Sequence, residues 1–183
     1  MLISNEWLKD YVNVDQSVQA LAERITRTGI EVDDIIDYTK DIKKLVVGHV
    51  LSKTPHPNAD KLNICQVDLG EEEPVQIVCG APNVDEGQHV IVAKVGGRLP
   101  GGVKIKRAKL RGERSEGMIC SLQEIGISSH VTPKNYESGI YVFPEAVKPG
   151  TDALEALYLN DQVMEFDLTP NRADALSMIG TAY

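Results

Sequence analysis

The sequence predicts an α+β protein in which a small β-barrel lies between two flanks that contain helices. Three observations predict this class. Apolar residues recur at helical spacing in residues 1–40, five short β-rich runs separated by turn residues fill residues 45–121, and a strand followed by a helix lies beyond residue 151. The length of 183 residues suits one sizeable domain or two small ones, and the composition, 42% hydrophobic and 25% charged, is that of a globular protein.

The first flank is predicted to form two helices and a short strand. Ser4 can cap the first helix, where Trp7 and Tyr11 stand at helical spacing and are expected to anchor the core. Asp15 can cap the second helix, and Gly29 is expected to end it.

The central region predicts the barrel. Five strands at this spacing are arranged most economically as a five-stranded Greek-key barrel of the oligonucleotide-binding (OB) type. Gly70 can supply the turn of a hairpin between the second and third strands. The five runs are LVVGHVLSK, LNICQVDLG, VQIVCGA, HVIVAKVGG and VKIKRAKLRG.

The last of these runs carries basic residues in alternation with apolar ones. Lys104 and Lys106 are expected to point away from the core, and Val103, Ile105 and Leu110 toward it. A register shift is expected near residues 107 and 108.

The second flank is predicted to form a short helix, a strand and the beginning of another helix. Residues 151–158 read as the short helix, and QVMEFDL as a strand with Met164, Phe166 and Leu168 on one face. TPNRADALSMIG then begins the last helix.

Charge is concentrated rather than spread along the chain. The formal net charge is −8, yet residues 94–114 hold eight basic residues and Glu113 as their only acid, which gives this segment +7 and leaves −15 on the remainder. A basic stripe on an acidic protein is typical of a surface that binds a polyanion. A solvated strand face without a partner is the alternative interpretation, and charge alone does not separate the two.

The positions of the aromatic residues indicate which kind of polyanion the basic stripe could bind. No Phe, Trp or Tyr lies between Tyr38 and Tyr136, so the basic stripe sits in an aromatic-free region. Proteins that hold single-stranded nucleic acid stack its bases on aromatic rings. The sequence therefore favours a folded RNA, bound through its phosphates, over a single strand.

The sequence gives little support for a disulfide framework, a metal site, a catalytic thiol, a nucleotide-binding loop or a membrane segment. The three cysteines and four histidines match neither a disulfide framework nor a zinc-ligand spacing, and Cys79 and Cys120 are expected to be inert buried thiols. The glycine-rich stretch at 96–102 lacks the order of a phosphate or dinucleotide loop. The apolar run at 45–51 is too short to span a membrane and no signal peptide is evident, which predicts a cytoplasmic protein.

Three short runs combine turn residues with cations or apolar strand ends: HPNADKL at 56–62, VCGAPNV at 78–84 and RGERSEGMICS at 111–121. Each can close a tight barrel loop. The same loops can also present side chains to phosphates, since OB-type folds bind at their loop rims. The side chains so placed are Lys61, Arg111, Arg114 and Ser115.

These runs, together with LPGGVKIKRAKLRG, resemble the EMAP-type tRNA-binding domain over residues 40–150. The flanks SNEWLKDYV, TRTGIEVDDI and EFDLTPNRADALSMIG resemble the start of the bacterial phenylalanyl-tRNA synthetase β subunit. The resemblance implies an OB-fold barrel, residues 40–151, inserted into a small α/β domain formed by residues 1–39 and 152–183. It also implies that the chain is an N-terminal fragment of a longer subunit.

The resemblance implies a role as well. The whole enzyme of that family joins phenylalanine to its tRNA with ATP and Mg²⁺, as an (αβ)₂ tetramer of synthetase α and β subunits. This chain would then be an accessory tRNA-binding segment with no catalytic or metal site, and with no DNA or membrane partner. The residues expected to contact the tRNA backbone are Lys61, Lys94, Arg98, Lys104, Lys106, Arg107, Lys109, Arg111, Arg114 and Ser115.

Two alternatives remain open at this point. The barrel can instead organise the subunit, with its basic face against an acidic surface and little affinity for RNA of its own. The other alternative is a protein that binds single strands or oligosaccharides, which the missing aromatic residues disfavour.

Asn171, Arg172 and Asp174 match the family's NR.D motif, and we interpret them as a helix N-cap rather than a catalytic group.

Overall fold

The computed structural model describes residues 1–183, which form two compact units. Unit 1 comprises Met1–Lys40 with Asn160–Tyr183, and unit 2 comprises Asp41–Leu159. None of the helices has the length and apolar character needed to cross a bilayer. The elements in chain order are β1 (Leu2–Ser4), α1 (Asn5–Leu8), α2 (Val18–Arg27), β2 (Glu31–Asp37), β3 (Lys43–Pro55), β4 (Asn63–Asp68), β5 (Val75–Cys79), β6 (His89–Leu99), β7 (Val103–Lys104), β8 (Ala108–Leu110), β9 (Glu113–Ser115), β10 (Gly117–Ile119), α3 (Ala153–Ala156), β11 (Gln162–Asp167) and α4 (Met178–Ala182).

Unit 1 is a three-stranded antiparallel sheet, in the order β1–β11–β2, with helices packed on it. The alternation predicted for β11 is confirmed, because Met164 and Phe166 are buried among Ile3 and Leu8. The two distant flanks of the chain therefore share one sheet and one core.

The helix signals of the first flank are partly confirmed. The Ser4 hydroxyl accepts a hydrogen bond from the Trp7 amide at 3.0 Å, and Gly29, with φ of +105°, follows the end of α2 as predicted. The predicted cap of α2 was wrong. Ser17 rather than Asp15 caps it, accepting from the Ala20 amide at 3.2 Å, because the backbone stays extended through Ser17.

Trp7 and Tyr11 do not anchor the core of unit 1, contrary to the prediction. Their exposed fractions are 54% and 46%. Since α1 ends at Leu8, the face that would have carried Tyr11 inward does not continue, and Leu8 is the buried apolar residue of this helix.

Unit 2 is built on an antiparallel sheet in the order β10–β6–β3–β4–β5, with β7 paired to the end of β6. The long β3 lies at its centre, between β4 and β6. The predicted hairpin between β4 and β5 is confirmed, with Gly70 in its connection at φ of +75°. The strands β8 and β9 form a separate two-stranded sheet.

The core of unit 2 includes α3. Ala153 and Leu154 are buried with Leu45 and Val47, and the Val47 amide donates to the Thr151 carbonyl at 2.8 Å. Unit 2 therefore continues to residue 159, past the boundary at 151 that the sequence suggests.

The basic run 103–111 is interrupted where the register shift is predicted. The strand β7 ends at Lys104 and β8 begins at Ala108. Ile105 is buried as expected, but Val103 and Leu110 are 53% and 40% exposed, so their predicted inward orientation was wrong. The reason is that β7 is an edge strand paired only to β6, and β8 pairs only with β9.

Candidate nucleic-acid interface

A basic hairpin projects from unit 2. Its strands β8 and β9 place Lys109 directly opposite Arg114, so both side chains lie on one face. Arg111 and Gly112 form the turn, with φ of +49° and +105°, as the primed two-residue hairpin turns require. With the neighbouring Lys106, these exposed cations are called the hairpin patch: Lys106, Lys109, Arg111 and Arg114.

The loop containing HPNADKL holds this hairpin in place. His56 is only 5% exposed, and its Nδ1 accepts from the Asn58 amide at 3.0 Å. Its Nε2 must then carry the proton, which it donates to the Leu110 carbonyl at 3.0 Å. The Asn58 side chain adds a bond of 3.4 Å to the Arg111 carbonyl. The loop is thus a structural clamp that also displays Lys61, exposed, beside the hairpin.

Ser115 was wrongly assigned to the phosphate-binding surface. It is 3% exposed, and its hydroxyl accepts from the Val78 amide at 3.1 Å and donates to the Gly117 carbonyl at 3.0 Å. Alternation along β9 turns Ser115 inward while its neighbour Arg114 points out. The residue therefore joins β5 to β9 and β10 and has no hydroxyl proton to offer a ligand.

A second connection supports the same edge. The Gln76 side chain donates to the Arg114 carbonyl at 2.9 Å, and the Gln76 carbonyl accepts from the Glu116 amide at 2.8 Å. These bonds tie the base of the hairpin to β5.

The run VCGAPNV closes a loop in a comparable way. The side-chain nitrogen of Asn83 donates to the Ile140 carbonyl at 2.8 Å, and the side-chain oxygen of Asn83 accepts from the Ile140 backbone amide at 3.0 Å. This reciprocal pair satisfies both backbone groups of Ile140, so the structural interpretation of the run accounts for Asn83.

Two of the predicted contact residues are engaged with acids of the same unit. Lys94 pairs with Glu71, and Arg107 pairs with Glu116 at 3.1 Å. Both pairs are partly solvated, and such pairs contribute about 0–1 kcal/mol. A phosphate can therefore compete for either cation, but neither is free in the unliganded protein.

The cations of the hairpin patch, together with Lys61, Arg98 and Lys104, form no ion pair. Two further unpaired cations, Lys43 and Lys44, were missed by the sequence analysis. They lie at the start of β3, where Lys43 pairs in register with Arg98. The signal in the sequence was the pair KK ahead of the first predicted strand, LVVGHVLSK, which falls outside the basic segment 94–114.

Cysteine and histidine are the residue types of this chain that could act as a nucleophile or bind a metal ion. Cys65, Cys79 and Cys120 are free and buried, and burial raises the pKa of Cys120 to about 12. The imidazoles of His49 and His89 stack with ring centres 4.5 Å apart. No group of three or more His, Cys, Asp or Glu side chains is arranged to hold a metal ion.

The NR.D motif of unit 1 is not a helix cap, contrary to the sequence interpretation. The short helical turn from Pro170 has no side-chain cap, and Ser177 caps α4 instead. The Arg172 guanidinium binds the Asp174 carboxylate at 3.0 Å and reaches the Gly29 carbonyl at 3.4 Å. The motif therefore connects the two flanks through an arginine, and Asp174 orients that arginine.

Comparison with known proteins adds a family to this geometry. A family model described as "Putative tRNA binding domain" matches residues 45–152. Over all 183 residues the chain is 98% identical to the phenylalanine–tRNA ligase beta subunit of Staphylococcus epidermidis, and 84% identical to those of Staphylococcus aureus and Staphylococcus haemolyticus. The chain spans 23% of the length of each of these relatives. Among solved structures, the C-terminal domain of Plasmodium vivax p43 aligns with 63% of this chain and 61% of its own, at 23% identity and a TM-score of 0.42.

Proposed function

Because this chain belongs to the tRNA-binding domain family, we propose that it binds tRNA through the basic surface of unit 2. The observation that carries the proposal is the hairpin patch: four exposed cations without an ion-pair partner lie on or next to a hairpin that hydrogen bonds of His56 and Ser115 hold in place. Such cations bind the phosphate backbone, so the contact is independent of sequence and sensitive to salt.

The ligand we propose is a folded RNA. The segment between Tyr38 and Tyr136, which carries the hairpin patch, contains no Phe, Trp or Tyr on which an unpaired base could stack. The backbone of a double helix presents phosphates at regular spacing, and a row of cations can bind it without reading bases. Lys61 beside the hairpin, and Arg98 and Lys104 on β6 and β7, belong to the proposed surface. Lys94 and Arg107 would join it by exchanging their carboxylates for phosphates.

We also infer that unit 2 is an OB-type barrel inserted between the two halves of unit 1. The strand order β10–β6–β3–β4–β5 supports this inference. The hydrogen bond from the Glu116 amide to the Gln76 carbonyl supports closure between β5 and β10. Loops and hairpins at the rim of such a barrel are where this fold binds its ligands.

For the longer protein that its relatives represent, we propose the activity that their name states, the joining of phenylalanine to tRNA. The β subunit would act with the synthetase α subunit and a second β subunit, and the reaction would use ATP and Mg²⁺. This chain would contribute tRNA contact to that enzyme and no catalytic group.

The test compares binding of the 183-residue chain to folded tRNA and to an unstructured oligonucleotide of equal length, at about 50 mM and about 200 mM salt. The variant K106E/K109E/R111E reverses three charges of the hairpin patch. The control K40E/K134E/K148E makes the same change in net charge at exposed lysines elsewhere. Circular dichroism establishes that each variant is folded.

Salt-sensitive binding of tRNA that the hairpin variant loses and the control keeps would support the proposal. Failure of the parent chain to bind tRNA even at low salt would refute it and favour an organising role in the subunit. Equal affinity for the unstructured oligonucleotide would refute the proposed preference for folded RNA.

A further inference from the structure

Three cations from three strands form a continuous row on unit 2. Lys43 on β3 lies directly opposite Arg98 on β6, and Arg98 lies directly opposite Lys104 on β7. Directly opposite residues of antiparallel strands project to the same face, with Cβ atoms ~4.5–5.5 Å apart. We call these residues the strand row.

The strand row faces away from the core. Leu99, which follows Arg98 on β6, and Ile105, which comes directly after β7, are buried, whereas Arg98 and Lys104 are exposed. Lys43 is exposed as well. The row is therefore an open, three-strand surface and not an internal contact of the barrel.

The strand row has no carboxylate within ion-pair distance. None of its three members forms an ion pair, in contrast to Lys94 and Arg107, which each have a carboxylate partner. Lys44 adds a fourth cation. Its Nζ lies 3.2 Å from the position that a Cβ on Gly96 would occupy, and Gly96 stands two residues before Arg98 on β6. Like charges directly opposite each other destabilise a sheet, so the row costs the free protein stability.

We propose that the strand row is a second group of phosphate-binding side chains for the backbone of double-helical RNA, in addition to the hairpin patch. The inference rests on the proposed function, and it adds Lys43 and Lys44 to the interface. It explains the uncompensated charge, because a bound phosphate relieves the repulsion that the free row carries. Binding at this row is thus coupled to the stability of unit 2.

The experiment compares the parent chain with K43Q/R98Q/K104Q and with the control K40Q/K134Q/K148Q, which loses the same net charge. Glutamine keeps the length of the side chains and removes their charge. The two measurements are the salt dependence of tRNA affinity and the melting temperature without RNA, at low and at high salt.

Two results are expected of the row variant. In a plot of log affinity against log salt concentration, its slope should be shallower by about 0.7–0.9 for each phosphate contact removed. At about 0.1 M salt this corresponds to roughly a five- to eightfold loss of affinity per contact. Its melting temperature without RNA should rise by ~1–8 °C at low salt, because two repulsive pairs are relieved, and this rise should shrink at high salt. The control should change neither quantity in this way.

An unchanged affinity and slope in the row variant, with binding by the parent intact, would overturn this inference and leave the proposed function standing. A lower melting temperature at low salt would also overturn it, because the row would then stabilise the fold rather than strain it. Absence of tRNA binding by the parent would overturn the proposed function itself, and with it the assignment of an RNA ligand to the row.

Discussion

Replacing Ser115 with alanine tests whether the hydroxyl of this residue stabilises the fold or binds a ligand. The substitution removes the hydrogen bonds to the Val78 amide and the Gly117 carbonyl, at 3.1 and 3.0 Å, inside a site that is 3% exposed. A buried amide left without a partner costs about 1–3 kcal/mol. We therefore expect S115A to lower the free energy of unfolding of unit 2 by that amount.

The assay is urea unfolding followed by circular dichroism, together with hydrogen exchange at the Val78 amide. This amide should lose protection selectively, because its bond to Ser115 is the one removed. S138A, at an exposed serine without a hydrogen bond, is the control and should change stability by less than about 0.5 kcal/mol. If S115A were as stable as S138A yet bound tRNA more weakly, the structural assignment of Ser115 would be refuted.

Three further predictions concern pH, backbone space and thiol reactivity. Burial, with a smaller effect of the neighbouring imidazole, lowers the pKa of His89, so its contribution to stability is complete above about pH 6.5 and is lost as the pH falls through the folded-state pKa. H89Q should accordingly reduce the loss of unfolding free energy between about pH 7.5 and about pH 5.5, and an identical loss would contradict this reading. Gly70 and Gly87 both have positive φ, but a Cβ on Gly70 would lie 2.6 Å from the Pro149 carbonyl oxygen, while one on Gly87 meets nothing within 4 Å. G70A should therefore cost more than the ~1–2 kcal/mol of backbone strain expected for G87A, as measured by urea unfolding, and equal costs would show that the close approach is relieved. Burial raises the pKa of Cys65 to about 11, so this thiol should react with a thiol reagent at about pH 8 only after denaturant is added. Fast reaction of the folded protein would contradict it.

Local signals predicted the parts of the fold that depend on neighbouring residues. The cap at Ser4, the stop at Gly29 and the alternation of Met164 and Phe166 each act within a few residues, and each is present in the structure. The exposure of Trp7 could not be predicted in this way. It depends on α1 ending at Leu8.

The candidate site shows the same division. The basic residues and the HPNADKL loop were identifiable from composition and turn chemistry. The inward orientation of Ser115 was not, since it follows from how β9 lies against β5. The ion pairs of Lys94 with Glu71 and of Arg107 with Glu116 join residues of different strands or loops. The sequence analysis therefore treated as unpaired two cations that have a carboxylate partner.

The sequence by itself determined that a basic, aromatic-free segment lies within an acidic protein, and that its runs resemble a tRNA-binding domain. Tertiary structure alone decided which cations share a surface. Lys43 stands far from Arg98 in the chain and directly opposite it in the sheet, because the antiparallel pairing of β3 with β6 sets which residues face each other. The distribution of charge along the chain is a property of the sequence, whereas a phosphate-binding row requires side chains that strand pairing brings to one face.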